Sequence, residues 1–215
     1  MAPVDALGNH AAICKFGGFK TVRHSRLVRL LRAILRESGA SVAPREVEVP
    51  IWRRADGTGA RLDVAFTVTG ERRFVDVTVR HPIARKYLAR AAREDGAAAA
   101  IAAAAKRVRY PAMPDDGLLA VEPFCVETFG RLGPDALRML RDARQRIAER
   151  EGGALRGWAG AALSQRWFAL LSCELQRSMH DAALAMWGSC GRLRAVEPLT
   201  GPLVSAALPF VSASR

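Results

Sequence analysis

The 215-residue chain has little cysteine, little lysine and no long apolar run, and each scarcity narrows what it can be. Cys14, Cys125, Cys173 and Cys190 are scattered without Cys-x-x-Cys spacing. Such scatter argues against a disulfide framework and points to a reducing compartment, cytosol or nucleus. No apolar stretch approaches the roughly 18 residues of a membrane span, and neither a signal-peptide pattern nor a lysine-rich amphipathic segment is visible. A membrane partner is therefore not expected. No internal repeat is present, since the alanines at 97–105 are compositional.

What the chain has instead is arginine. The formal net charge is +12 and the sequence pI about 10.8, carried almost wholly by guanidinium groups. Guanidinium suits bidentate contact with phosphate, so nucleic acid is the expected partner, DNA first and RNA second, with no small-molecule substrate. Half of the residues are apolar, and the length supports one domain with a real core and a small appendage.

Residues 1–22 are glycine-rich and read as irregular. His10-x3-Cys14 is similar to half of a zinc knuckle, but two ligands do not close a tetrahedral structural site, so zinc would need ligands from outside this chain. Ser25 is placed to N-cap a helix running to about Ser38, with Gly39 as its stop. Leu27, Leu30, Leu31, Ile34 and Leu35 form its apolar stripe; Arg26, Arg29, Arg32 and Arg36 line another side, a candidate phosphate-contacting face. Glu46 to Ile51 alternates like a strand. Helices are expected over about 83–94, 97–109 and 134–151, and a strand over 118–126. Gly152-Gly153 marks a hinge before a helical extension over 152–190, which carries Trp167, Leu170, Leu171 and Leu175. The tail, 191–215, reads as poorly ordered. The order of elements makes an α/β layer with one mixed sheet.

The segment RLDVAFTVTGERRFVDVTV, Arg61 to Val79, sets an aspartate in each of two apolar runs. Read as a hairpin turning at Thr69-Gly70 or Gly70-Glu71, it gathers Leu62, Val64, Phe66, Val68, Val75, Val77 and Val79 on one face. Asp63 and Asp76 share the other face, roughly 5–8 Å apart. Like charges so close call for a compensating cation, and a divalent ion between hard oxygen ligands is one answer. A solvated outer face neutralised by Arg72, Arg73 and Arg80 is the other.

This order, with one acid in each of two successive strands, is similar to the PD-(D/E)xK nuclease core. More narrowly it resembles the restriction-like endonuclease domain that follows the reverse transcriptase in site-specific non-LTR retrotransposons. The family's basic-Pro-Asp triplet, a spacer of about a dozen residues and a second acid are matched by Arg61-Leu62-Asp63, twelve residues and Asp76. Its knuckle, Gly-Gly and Arg-His pairs are matched by His10 and Cys14, Gly17-Gly18 and Arg23-His24, and its lysine four residues before a tyrosine by Lys106 and Tyr110. Two departures stand out: Leu62 replaces the proline, and Thr78 replaces the lysine of the D-x-K motif.

The resemblance covers about residues 8–150 and implies a restriction-endonuclease-like domain over 23–151. It further implies nuclear location and Mg²⁺- or Mn²⁺-dependent nicking of DNA. Asp63, Asp76 and the Val77 carbonyl would hold the ion, Lys106 would serve the reacting water, and Glu46 (or Glu48 or Glu37) would add an outer ligand. Arg23, His24, Arg26, Arg29, Arg32, Arg61 and Tyr110 would face nucleic acid. A catalytically inactive remnant that keeps the fold needs the arginines but not the aspartates. A protein-interaction role for the Trp158–Trp187 helix is a third reading.

Overall fold

The computed structural model describes residues 9–13, 16–53, 57–111, 120–152 and 158–189. Among them, a short helix α1 (Asn9–Ile13) and a 3-10 turn (Phe16–Gly18) lead into α2 (Phe19–Glu37). Strands β1 (Ser41–Val42), β2 (Val47–Arg53), β3 (Gly59–Leu62), β4 (Val64–Val68) and β5 (Glu71–Arg80) follow. Then come α3 (Arg85–Ala91), α4 (Ala97–Arg109), β6 (Val121–Glu127), α5 (Pro134–Arg150) and α6 (Trp158–Ser189).

The central sheet has the order β1-β4-β5-β6, with β4 and β5 antiparallel and β5 and β6 parallel. It is a mixed α/β sheet flanked by helices, as the element order predicts. The parallel pair needs a crossover, and α3 and α4 supply it. β2 and β3 form a separate antiparallel ribbon.

Strand parity decides what each face of the sheet carries. Val64, Phe66, Val75, Val77, Phe124 and Val126 are buried together with the Leu27, Leu31, Ile34 and Leu35 stripe of α2. The same cluster takes Met139, Leu140 and Ala143 of α5 and Trp167, Leu171 and Leu175 of α6. Trp167 is fully buried and its indole Nε1 donates to Glu37 Oε2 at 3.0 Å, so α6 is part of the main core. Leu170 falls outside the spacing 167, 171, 175 and is exposed. The opposite face carries Ala65 and Phe74, packed with Trp52, Leu62, Tyr110 and Val121. Beside them Ala99, Ala102 and Ala103 of α4 close on Cys125 of β6. Small side chains on α4 let that helix lie close to the sheet.

Three local expectations are corrected. The segment before residue 23 is not irregular throughout, because α1, the 3-10 turn and the first turn of α2 are ordered. Gly17 and Gly18 adopt φ of 64° and 71° and turn the chain into α2, so the helix starts six residues before Ser25. The buried Arg23 explains why: its guanidinium donates to the carbonyls of Ala12 at 2.7 Å and Ala11 at 3.2 Å, tying α1 to α2. Leu62 does not share a face with Val64, because the chain breaks at Asp63 and leaves for the β2–β3 ribbon. The hairpin turn itself is at Thr69-Gly70, both with positive φ, as a two-residue type I′ turn requires. Cys14, Gly153 and residues 191–215 lie outside the described residues, and with them the partial zinc knuckle, half of the hinge and the tail.

Candidate metal and phosphate site

The β4–β5 ladder pairs Val64 with Val75, and continuing that register by one residue sets Asp63 against Asp76. Both side chains are buried. Because the chain turns away at Asp63, β4 stops two residues short of covering Val77, whose backbone polar groups lose a strand partner. Side chains replace it. Asp63 Oδ2 accepts from the Val77 N–H at 2.7 Å, and His24 Nε2 lies 3.1 Å from the Val77 carbonyl oxygen. The same His24 Nε2 is 3.2 Å from Asp63 Oδ2. Both neighbours are acceptors, so Nε2 carries the hydrogen in this arrangement.

Asp76 is met from the other side. Lys106 Nζ, near the end of α4, donates to Asp76 Oδ2 at 2.5 Å, and the Tyr110 hydroxyl also donates to this carboxylate. Tyr110 packs edge-on against Trp52 with ring centroids 5.8 Å apart, which fixes where its hydroxyl points. Burial raises the Asp76 pKa above the usual carboxylate value. The Lys106 contact opposes that shift, the Asp63 charge adds to it, and the Tyr110 bond lowers it. The His24 pKa is raised, first by its hydrogen bond to Asp63. Cys125, beneath α4, is held up to about 11 by burial and is not a nucleophile at neutral pH.

His24, Asp63, Asp76, Val77, Lys106 and Tyr110 line a cleft of about 530 Å³. Lys20, Arg61, Arg80, Lys86 and Arg109 border it, so two carboxylates sit inside a basic rim. Lys86 lies over the ring of buried Tyr87, 4.6 Å from its centroid. A basic rim around an acidic floor attracts a polyanion and a cation to adjacent places.

The structure brings together Asp63, Asp76, Val77 and Lys106, with Arg23, His24, Arg61 and Tyr110 on the walls. It does not bring Glu46 there. Glu46 pairs with Arg61 at 3.7 Å on a neighbouring groove that Arg29 and Arg32 also line. Glu48 accepts from the Gly59 N–H, and Glu37 bonds Trp167 and Arg166. Much of the arginine stripe is engaged internally. Arg26 reaches Asp181 at 2.6 Å on α6, and Arg32 donates to the backbone oxygens of Pro44 and Asp63. Arg29 and Arg36 are exposed. His10 is on α1, and its would-be partner Cys14 is not among the described residues.

Sequence reasoning assigned His24 to nucleic acid and missed its place beside Asp63, which no spacing rule between residues 24 and 63 would reveal. It also missed Glu127, a buried carboxylate that accepts from the Ala98 and Ala99 N–H groups. That carboxylate caps α4 from another element and so holds Lys106 in register. Among the described residues no three His, Cys, Asp or Glu side chains form a ready metal cluster, and no helix is long and apolar enough to cross a membrane. No family model matches the chain, and no curated protein is similar to it.

Proposed function

We propose that the chain is a metal-dependent DNA endonuclease of the restriction-like type, related to the nuclease domains of non-LTR retrotransposons. The observation that carries this reading is the set Asp63, Asp76 and Lys106 on the floor of a cleft with a basic rim. The residues fit a divalent cation: two opposed carboxylates and the Val77 carbonyl are hard oxygen donors lining one cleft. When bound, such an ion supplies water activation and neutralises charge on the phosphoryl group.

The chain's own groups do the rest. Arg61, Lys86 and Arg109 hold backbone phosphates at the rim and so position the scissile bond over the acids. Lys106 stands where Thr78 leaves the strand without a cation; its ammonium orients the attacking water and stabilises charge on the non-bridging oxygen. Tyr110 holds the Asp76 carboxylate and limits its rotation. The nucleus is the expected compartment, where such a substrate is found.

Nicking of supercoiled plasmid with Mg²⁺ or Mn²⁺, compared with Asp76→Ala, tests the reading. Cleavage that needs the ion and disappears in the variant supports it. One observation favours a second reading, a binding-only remnant of the fold: the Lys106 ammonium pairs directly with Asp76 and by itself supplies positive charge to that acid. DNA binding with no cleavage under either ion would select that alternative.

A further inference from the structure

The position of His24 extends the proposed site, and a ligand role for this imidazole rests on the metal-dependent reading. Its Nε2 lies 3.2 Å from Asp63 Oδ2 and 3.1 Å from the Val77 oxygen. Donor atoms held about 2.1 Å from an octahedral ion stand about 3 Å apart along each edge of the octahedron. The nitrogen is therefore spaced from each of the two oxygens as an adjacent ligand of one ion would be.

The placement is also built. Arg23, next in the chain, is locked onto the α1 carbonyls, and α2 packs through Leu27 and Leu31 against the sheet, so the backbone carrying His24 is fixed. His24 itself lines the cleft next to Asp76 and Lys106.

We propose that His24 is a nitrogen ligand of the cation at this site, with Asp63 and the Val77 carbonyl, and that the site consequently takes a first-row transition ion, Mn²⁺ included, in preference to Mg²⁺. First-row transition ions accept an imidazole nitrogen more readily than Mg²⁺ does, since Mg²⁺ favours oxygen and retains its waters. From the charged imidazolium, binding replaces the Nε2–H bond by an Nε2–metal bond, that proton leaves to solvent and Nδ1 keeps its hydrogen; from the neutral form the hydrogen moves from Nε2 to Nδ1 and no proton is released. Asp76 stays with Lys106 and Tyr110 and reaches the ion directly or through water.

The test uses the full chain and the metal ions alone, with no nucleic acid. Calorimetry with Mn²⁺ and with Mg²⁺ measures both affinities, and pulsed electron paramagnetic resonance of the Mn²⁺ form reads nitrogen bound to the metal. Expected are tighter Mn²⁺ binding, a directly coordinated ¹⁴N coupling, and in His24→Ala loss of the coupling with at least a tenfold fall in Mn²⁺ affinity but little change for Mg²⁺. His24→Gln, which retains a polar group beside Asp63, should behave the same way, which covers a poorly folded alanine variant. Bound Mn²⁺ without nitrogen coupling in the wild type, or equal affinity in both variants, overturns the ligand role and leaves the nuclease reading standing. Binding of neither ion overturns both.

Discussion

Lys106 and Asp76, 30 residues apart in the chain, meet at 2.5 Å between the last turn of α4 and the middle of β5. Neither is well exposed, so their attraction is weakly screened. In the proposed nuclease reading, this ammonium supplies the cation that Thr78, two residues after the acid, does not. Lys106→Ala should lower single-turnover cleavage about a hundredfold or more while DNA affinity stays within a few-fold, the pattern of a group acting in the transition state. Removing one partner of a buried pair should also cost roughly 3 kcal/mol, read from urea denaturation. Wild-type cleavage in this variant would refute the role.

The His24 contact has a pH signature. With its folded pKa raised above 6.5 by Asp63, the charged imidazole contributes stability that is fully present below 6.5 and is lost as pH rises through the folded value. Metal-free wild-type protein should therefore lose stability over that window, and His24→Gln should not. In NMR titrations the His24 midpoint should lie above 6.5 in the wild type and fall in Asp63→Asn. An unchanged midpoint would remove Asp63 as the cause.

Nucleic-acid binding should depend steeply on salt. Contact with about six phosphates implies a loss of about three decades in affinity between 50 and 200 mM salt. Lys86→Ala and Arg109→Ala, on the cleft rim, should each reduce the salt slope by about one, for all sequences alike. Arg29→Ala, on the exposed side of α2, tests whether binding extends past the cleft. A slope unaffected by any of the three would place the interface elsewhere.

Arg26 and Trp167 should act on stability instead. Arg26 ties α2 to Asp181 of α6, and Trp167 fills the main core while donating to Glu37. Trp167→Ala should cost about 3–5 kcal/mol in chemical denaturation. Arg26→Ala should cost less and leave the salt slope of DNA binding unchanged. A Trp167 variant as stable as wild type would mean that α6 is not part of the folded unit.

Local pattern carried a good deal of this. The α4 boundaries, the stop of α2 at Gly39 and the start of α5 at Pro134 follow from residues that favour or forbid helix at those points. A turn at Thr69-Gly70, one of the two that the sequence allowed, sets the register that opposes Asp63 and Asp76, and the alanine-rich α4 foretold a helix close enough for Lys106 to reach the sheet. These are properties of neighbours in the chain, and periodicity reports them.

The start of α2 at Phe19, the divergence of the chain at Asp63 and the meeting of His24 with Val77 were decided by tertiary structure. Each depends on a partner distant in sequence: Arg23 on the α1 carbonyls, Leu62 on the β2–β3 ribbon, His24 on a carbonyl that β4 does not cover. A backbone group left without its strand partner must be satisfied by whatever side chain folding brings near, and that choice is made in space. So the sequence by itself determined most of the helices, the hairpin with its acid pair and the basic character of the chain. Which imidazole, ammonium and hydroxyl surround those acids was settled only when α2 and α4 packed on opposite faces of the sheet.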